Sequence, residues 1–148
     1  MEPAVKLAVV AAGVFFLAGL VTGAWKYVRI ASSPAAVAPP YVGIAHRAAL
    51  MYAFATLLLG RFAELSPWAD AVDLLAVAAP VVYFAAAIGG YVVHGALDDT
   101  DNQFARPHRL GTRTVPEATM ARVMWSLVVA EIGGFSVLFA GTLKTVLL

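Results

Sequence analysis

Apolar residues along this chain fall into four long runs, broken by proline-rich or charged stretches. The runs cover about Val5 to Val28, Ile44 to Ala63, Ala71 to Ala96 and Ala121 to Leu143. A helix needs roughly 20 mainly apolar residues to cross a bilayer, and each run is about that long. None alternates apolar and polar positions with period two, which argues against a membrane β-barrel. The pattern predicts an all-α transmembrane four-helix bundle, one integral membrane domain over residues 1–148 with both termini on the same side. The first run stays apolar well beyond Lys6 and offers no convincing small-x-small cleavage site, so it reads as a retained helix and not as a signal peptide.

The breaks differ in character. Ala31 to Pro40 is a linker of small residues and prolines that cannot be helical throughout. The turn at Leu65 to Trp68 is short, which makes the second and third helices antiparallel neighbours. Asp98 to Val115 is the one long polar connection. It leads into Thr114, Pro116 and Glu117, a capping box with a proline near the first helical position, which marks the start of the fourth helix. Within this connection, Asp98 to Asn102 has the composition of a cation loop. It lacks the glycine and glutamate of a calcium hand and reads as a solvated turn. His108, among Arg106, Arg109 and Arg113, reads as part of a patch facing lipid headgroups.

The basic residues set the expected orientation. Lys26, Arg29, Arg47, Arg106, Arg109, Arg113 and Arg122 cluster at the first and third connections, against Lys6, Arg61 and Lys144 on the other side. By the positive-inside rule the two longer connections are cytoplasmic and both termini lie outside, as in a multi-pass protein of the bacterial inner membrane. Composition agrees with lipid as the solvent: 61% of the residues are hydrophobic and 13% charged, with a mean hydropathy of +0.83. That is about half the charge of a soluble domain, too little to cover a globule in water. A net charge of +1 leaves no basic surface for nucleic acid. The absence of cysteine excludes disulfides, thiolate metal sites and iron–sulfur clusters. No phosphate-binding loop, dinucleotide fingerprint, nucleophile elbow or HExxH zinc motif is present.

Chemistry must therefore come from the few polar groups inside the spans, where each needs a partner or a role. His46 lies near the start of the second helix and His94 near the end of the third, on the same side of the membrane. A neutral imidazole at such a place either ligates haem iron or hydrogen-bonds a carbonyl or water. Glu131 lies nine residues beyond Arg122, roughly 13–14 Å along the helix axis and near mid-bilayer, where the neutral acid is favoured. Its two readings are a catalytic acid or proton relay and a polar clasp between the third and fourth helices. Tyr83, or the Ala76 carbonyl freed by Pro80, is the expected clasp partner. Tyr52 and Tyr91 are either packing residues or phenol donors able to polarise a substrate oxygen. Gly19 and Gly23 form a small-xxx-small face, and glycine pairs recur at Gly89-Gly90 and Gly133-Gly134. Such faces seat neighbours within one bundle or between copies of it.

The run from Tyr41 through His46 and Arg47 to Tyr52, followed by Asp99 to Gln103, resembles a group of small uncharacterised bacterial four-span membrane proteins. More distantly, the whole layout resembles the styrene oxide isomerase family. The shared features are a Gly-rich first helix, a proline-containing linker, Ala45-His46 with Ala49-Leu50, Asn102-Gln103-Phe104, and a Gly/Phe/Leu-rich last helix. The resemblance implies haem b bound through His46 as axial ligand, a trimer, and Lewis-acid isomerisation of a small apolar epoxide to a carbonyl compound. Tyr91 falls at the spacing of that family's active-site tyrosine. The chain departs from the family at Tyr52, where the family has asparagine, and at Tyr83, where it has an acid; tyrosine reproduces neither group. His94 as a second ligand would instead give a bis-histidine electron carrier. The second reading, ahead of that carrier, is a non-catalytic accessory or assembly subunit of a membrane complex, which small size, sparse intramembrane polarity and small-residue faces fit equally well.

Overall fold

The computed structural model describes all 148 residues as four long helices and one small hairpin. They are α1 (Pro3–Ala31), α2 (Pro40–Leu65), α3 (Asp70–Leu97), β1 (Arg109–Leu110), β2 (Arg113–Thr114) and α4 (Glu117–Leu147). All four helices are long and apolar enough to cross a membrane, so the chain is a multi-pass membrane protein. Four crossings put both termini at one face, called here the terminal face. The 32–39 linker and the segment 98–116 share the opposite, loop face.

The helices start earlier than their hydropathy suggests because proline opens them. Pro3 and Pro40 occupy the first helical positions of α1 and α2, where a missing N–H costs nothing. Asp98 ends α3 in the left-handed conformation (φ 50°) and donates its N–H to the His94 carbonyl. The expected capping box on α4 does not form. Thr114 belongs to β2, paired with Arg109, and Pro116 is the N-cap without any side-chain hydrogen bond.

Small residues hold α1 against α2. Ala4, Ala8, Ala11 and Gly19 of α1 face Ala45, Ala49, Ala53, Thr56, Gly60 and Ala63 of α2, all of them buried. A Cβ on Gly60 would come within 2.7 Å of the Ala8 methyl, and one on Gly19 within 2.5 Å of Leu50. Hydrocarbon offers no hydrophobic drive for helices to associate, so such close backbone approach, with its dispersion contacts, is what binds them. The Gly19-xxx-Gly23 face thus seats a neighbour within the chain. Larger side chains (Phe15, Val77, Phe84, Ile88 and Leu138) fill the space toward α3 and α4.

The fourth helix is held differently. Only 6% of its most apolar stretch is buried, against 28% or more in the others, and its buried residues are Gly134, Leu138, Gly141 and Thr142. Gly134 fits the notch left where Pro80 interrupts α3: its missing Cβ would sit 2.5 Å from the Ala76 carbonyl and 2.8 Å from the proline ring. Nearer the terminal face, the Trp68 indole donates to the Val137 carbonyl at 3.0 Å, and the Thr142 hydroxyl to the Phe62 carbonyl at 3.2 Å. The half of α4 near the loop face packs only loosely.

Gly133 has nothing within 4 Å of a built Cβ, so neighbouring glycines test this packing. Gly134→Ala should cost about 1–3 kcal/mol through overpacking, and Gly133→Ala should stay within about 0.5 kcal/mol of the parent. Reversible unfolding by SDS titration in mixed micelles measures both.

Candidate functional site

His46 projects from α2 into the gap that Gly19 and Gly23 leave in α1. A Cβ on Gly23 would lie 2.8 Å from the imidazole Cε1 and 2.9 Å from Nδ1. The ring's Nδ1 is 2.8 Å from the Gly19 carbonyl oxygen. A carbonyl can only accept, so Nδ1 carries the proton, and in the neutral ring Nε2 keeps its lone pair. The Gly19 carbonyl also accepts from the Thr22 hydroxyl at 3.1 Å, a hydroxyl that reaches the Ala18 carbonyl at 2.7 Å as well. An imidazole oriented through one nitrogen, with the other free as a donor atom, is the arrangement found at metal-ligating histidines. One turn toward the loop face, Gly43 shares the His46 side of α2. There Lys26 and Arg47 line a cavity of about 350 Å³ together with Ile30 and Ile44.

His94 sits in a second setting. Its ring is 7% exposed and lies against Tyr41, with ring centroids 5.0 Å apart. Nδ1 is 2.8 Å from Asp99 Oδ1, and the other Asp99 oxygen accepts the Gly111 N–H. Tyr41 Oη accepts the Gln103 N–H at 2.6 Å, and His108 Nδ1 donates to the Gln103 carbonyl at 3.2 Å. The loop is therefore tied to the ends of α2 and α3. Two expectations change here. Asp99 is not part of a solvated turn, although Thr100 and Asn102 do form the expected side-chain turns with Asn102 and Phe104. His108 is buried and faces inward, because its ring completes the fold of the loop.

The mid-bundle residues form a third group. Tyr52 stacks on Phe84 with centroids 4.2 Å apart, and its phenol approaches those of Tyr91 and the carboxyl of Glu131. Glu131 does not clasp Tyr83. Its Oε1 is buried without any hydrogen-bond partner, and Gly134 already covers the Ala76 carbonyl. Tyr83 lines a cleft between α3 and α4 instead. Tyr52 lies six residues beyond His46, about 120° around the helix, so the phenols face α3 while the imidazole faces α1.

Several groups had no clear signal in the sequence. The Gly19 carbonyl and Thr22 belong to the His46 setting, and Asp99 to the His94 setting. Asp73, near the terminal face, is a buried acid besides Glu131. It is 2% exposed, and its Oδ1 has no partner. It stands at the edge of an apolar run, where an acid reads as a helix start, and only packing shows it to be enclosed.

Burial alone would push the Asp99 carboxyl up. The Gly111 N–H and the His94 ring outweigh it and hold the carboxyl below the ordinary carboxylate range. A depressed carboxylate stabilises the folded loop above its unfolded pKa, and that contribution disappears as pH falls through the folded one. Limited proteolysis should therefore cut the 98–116 segment faster only under strong acid. Asp99→Asn should cut faster already at neutral pH, by roughly tenfold for about 1.5 kcal/mol lost with one charge-assisted hydrogen bond. Neither a family model, nor a curated protein, nor a solved structure matches the chain.

Proposed function

We propose that the chain is a haem b-binding integral membrane protein of the bacterial inner membrane, with His46 as the single axial ligand and the loop face in the cytoplasm. The observation that carries this reading is the His46 Nδ1–Gly19 carbonyl hydrogen bond, which leaves Nε2 as a nitrogen donor. Charge near the ring supports the group: Gly23 makes room for the imidazole itself, and Lys26 and Arg47 line a cavity one turn nearer the surface, where two cations suit two propionates. The bound group would supply a Lewis-acidic ferric iron.

The chain's own residues do the rest. The Gly19 carbonyl fixes the ring and raises its basicity, and Thr22 holds that carbonyl in place. Tyr52, Tyr91 and Glu131 are the groups able to hold a proton inside the bundle. The reaction class that the resemblance implies is isomerisation of a small apolar epoxide to a carbonyl compound, with no net oxidation, in a homo-oligomer that the resemblance makes a trimer. Open glycine faces at Gly89 and Gly90 suit such assembly.

A second reading, a bis-histidine electron carrier, draws on the His94–Asp99 pair, because a carboxylate on Nδ1 prepares His94 Nε2 as a ligand in the same way. The visible spectrum of the detergent-purified protein, expressed with ample haem, decides. We expect a Soret band, its loss in His46→Ala, and its marked weakening in Gly23→Val, whose side chain would displace the imidazole. His94→Ala should keep the band. Loss of the band in both histidine variants favours the electron carrier, and a colourless parent protein overturns both haem readings in favour of an accessory subunit. An aromatic epoxide offered to the haem-loaded protein tests the reaction, with turnover expected to fall at least tenfold in Tyr91→Phe.

A further inference from the structure

We propose that the cleft between α3 and the loose half of α4 is a lipid site that takes one acyl chain of an anionic phospholipid from the surrounding leaflet. Two cavities adjoin there. The inner one, about 260 Å³, is almost wholly apolar; Tyr83, Ala87 and Tyr91 of α3 face Met124 and Leu127 of α4 across it. The outer one, about 510 Å³, lies at the loop face and is lined by Arg106, His108 and Glu117. Phe104, Met120 and Met124 belong to both, so only these three flexible or surface side chains separate the chamber at the membrane surface from the apolar space inside. Tyr83 and Tyr91 are eight residues apart, which makes the apolar part about 12 Å deep. A slot of that depth and volume takes part of one acyl chain, the rest remaining in the surrounding leaflet.

The occupant follows from this shape and from charge. An apolar slot that opens sideways to lipid and ends at a polar chamber on the surface matches an amphiphile standing in its own leaflet. Methionine at the shared waist suits a flexible chain, because its side chain repacks easily. Of the acids at the loop face only Asp99 is firmly held, by His94; Asp98 with Arg29 at 3.8 Å and Glu117 with Arg106 at 3.4 Å are exposed pairs. Arg109, Arg113 and Arg122 are exposed and unpaired, so basic residues outnumber acids around the chamber. The Arg106–Glu117 pair is itself exposed and contributes little, so Arg106 is available to a phosphate. His108 borders the chamber with its ring fixed by the Gln103 carbonyl. The site shares Tyr91 with the proposed reaction but involves neither His46 nor any prosthetic group, so lipid binding by the haem-free protein tests it separately from the haem reading.

Native mass spectrometry of the delipidated protein, re-supplied with phosphatidylglycerol or phosphatidylcholine, tests it. We expect one phosphatidylglycerol per chain to survive activation that strips phosphatidylcholine. Ala87→Phe, which fills the slot from its lipid side, should reduce that retained fraction at least tenfold with helical circular dichroism unchanged. Arg106→Gln should abolish the preference between the two lipids. Without any substitution, phosphatidylglycerol carrying a mid-chain diazirine should label Met124 or Leu127. Equal retention of both lipids by the parent, undiminished retention by a folded Ala87→Phe, or labelling spread evenly over the lipid-facing helices would each overturn the proposal.

Discussion

The contact on which most of this molecule depends is the near touching of two backbones, α1 and α2, along a seam of alanine and glycine. In lipid the solvent is as apolar as the side chains, so helices gain nothing by merely hiding leucines from it. They gain by approaching until backbone atoms are in van der Waals contact, and only small residues allow that. A missing side chain has a second effect at Gly23. A Cβ there would collide with the imidazole, and without it His46 reaches the Gly19 carbonyl one turn away. Packing and the proposed ligand chemistry therefore share their residues. The seam that fixes the helix pair also fixes which imidazole nitrogen carries the proton.

Stability is distributed unevenly around this seam. α1, α2 and α3 share a buried core, and the loop is stitched to the ends of α2 and α3 by Tyr41, His94 and Asp99, while His108 braces the loop internally. These bonds matter because a loop at the membrane surface must satisfy its own backbone groups while leaving the hydrocarbon closed. Mid-bundle, the polar groups are the opposite case. Glu131 and Thr56 keep buried oxygens without partners, a costly arrangement that natural proteins retain where a polar group has work to do or a water to bind.

Much of the architecture was legible in the chain because a span is a property of about twenty neighbouring residues, and four such runs stand out. Helix ends were less legible. Hydropathy marks where the hydrocarbon begins, whereas α2 starts at Pro40 and α4 at Glu117, in the polar margin beyond it. His46 was identifiable as an unusual residue, and Gly19 and Gly23 as a packing face, but nothing local revealed that the two meet across 27 positions. Asp99 was misjudged for the same reason: its neighbours in sequence are polar, and its partners, His94 and Gly111, are brought to it by the chain's return. The Glu131–Tyr83 pairing was inferred from depth alone. Depth cannot say which way around a helix a side chain points, and there the azimuth decided.

The seating of α4 has a mechanical consequence. Its firm contacts lie from Gly134 toward the terminal face, while the arm back to Glu117 is seventeen residues long and lightly held. That arm extends about 25 Å beyond the Pro80 notch. A tilt of about 5° at the notch displaces its far end by about 2 Å, comparable to the difference between a closed and an open slot. A proline and a glycine facing each other thus form a fulcrum, and the width of the α3–α4 cleft is set by leverage about the last firm contact before the loose arm.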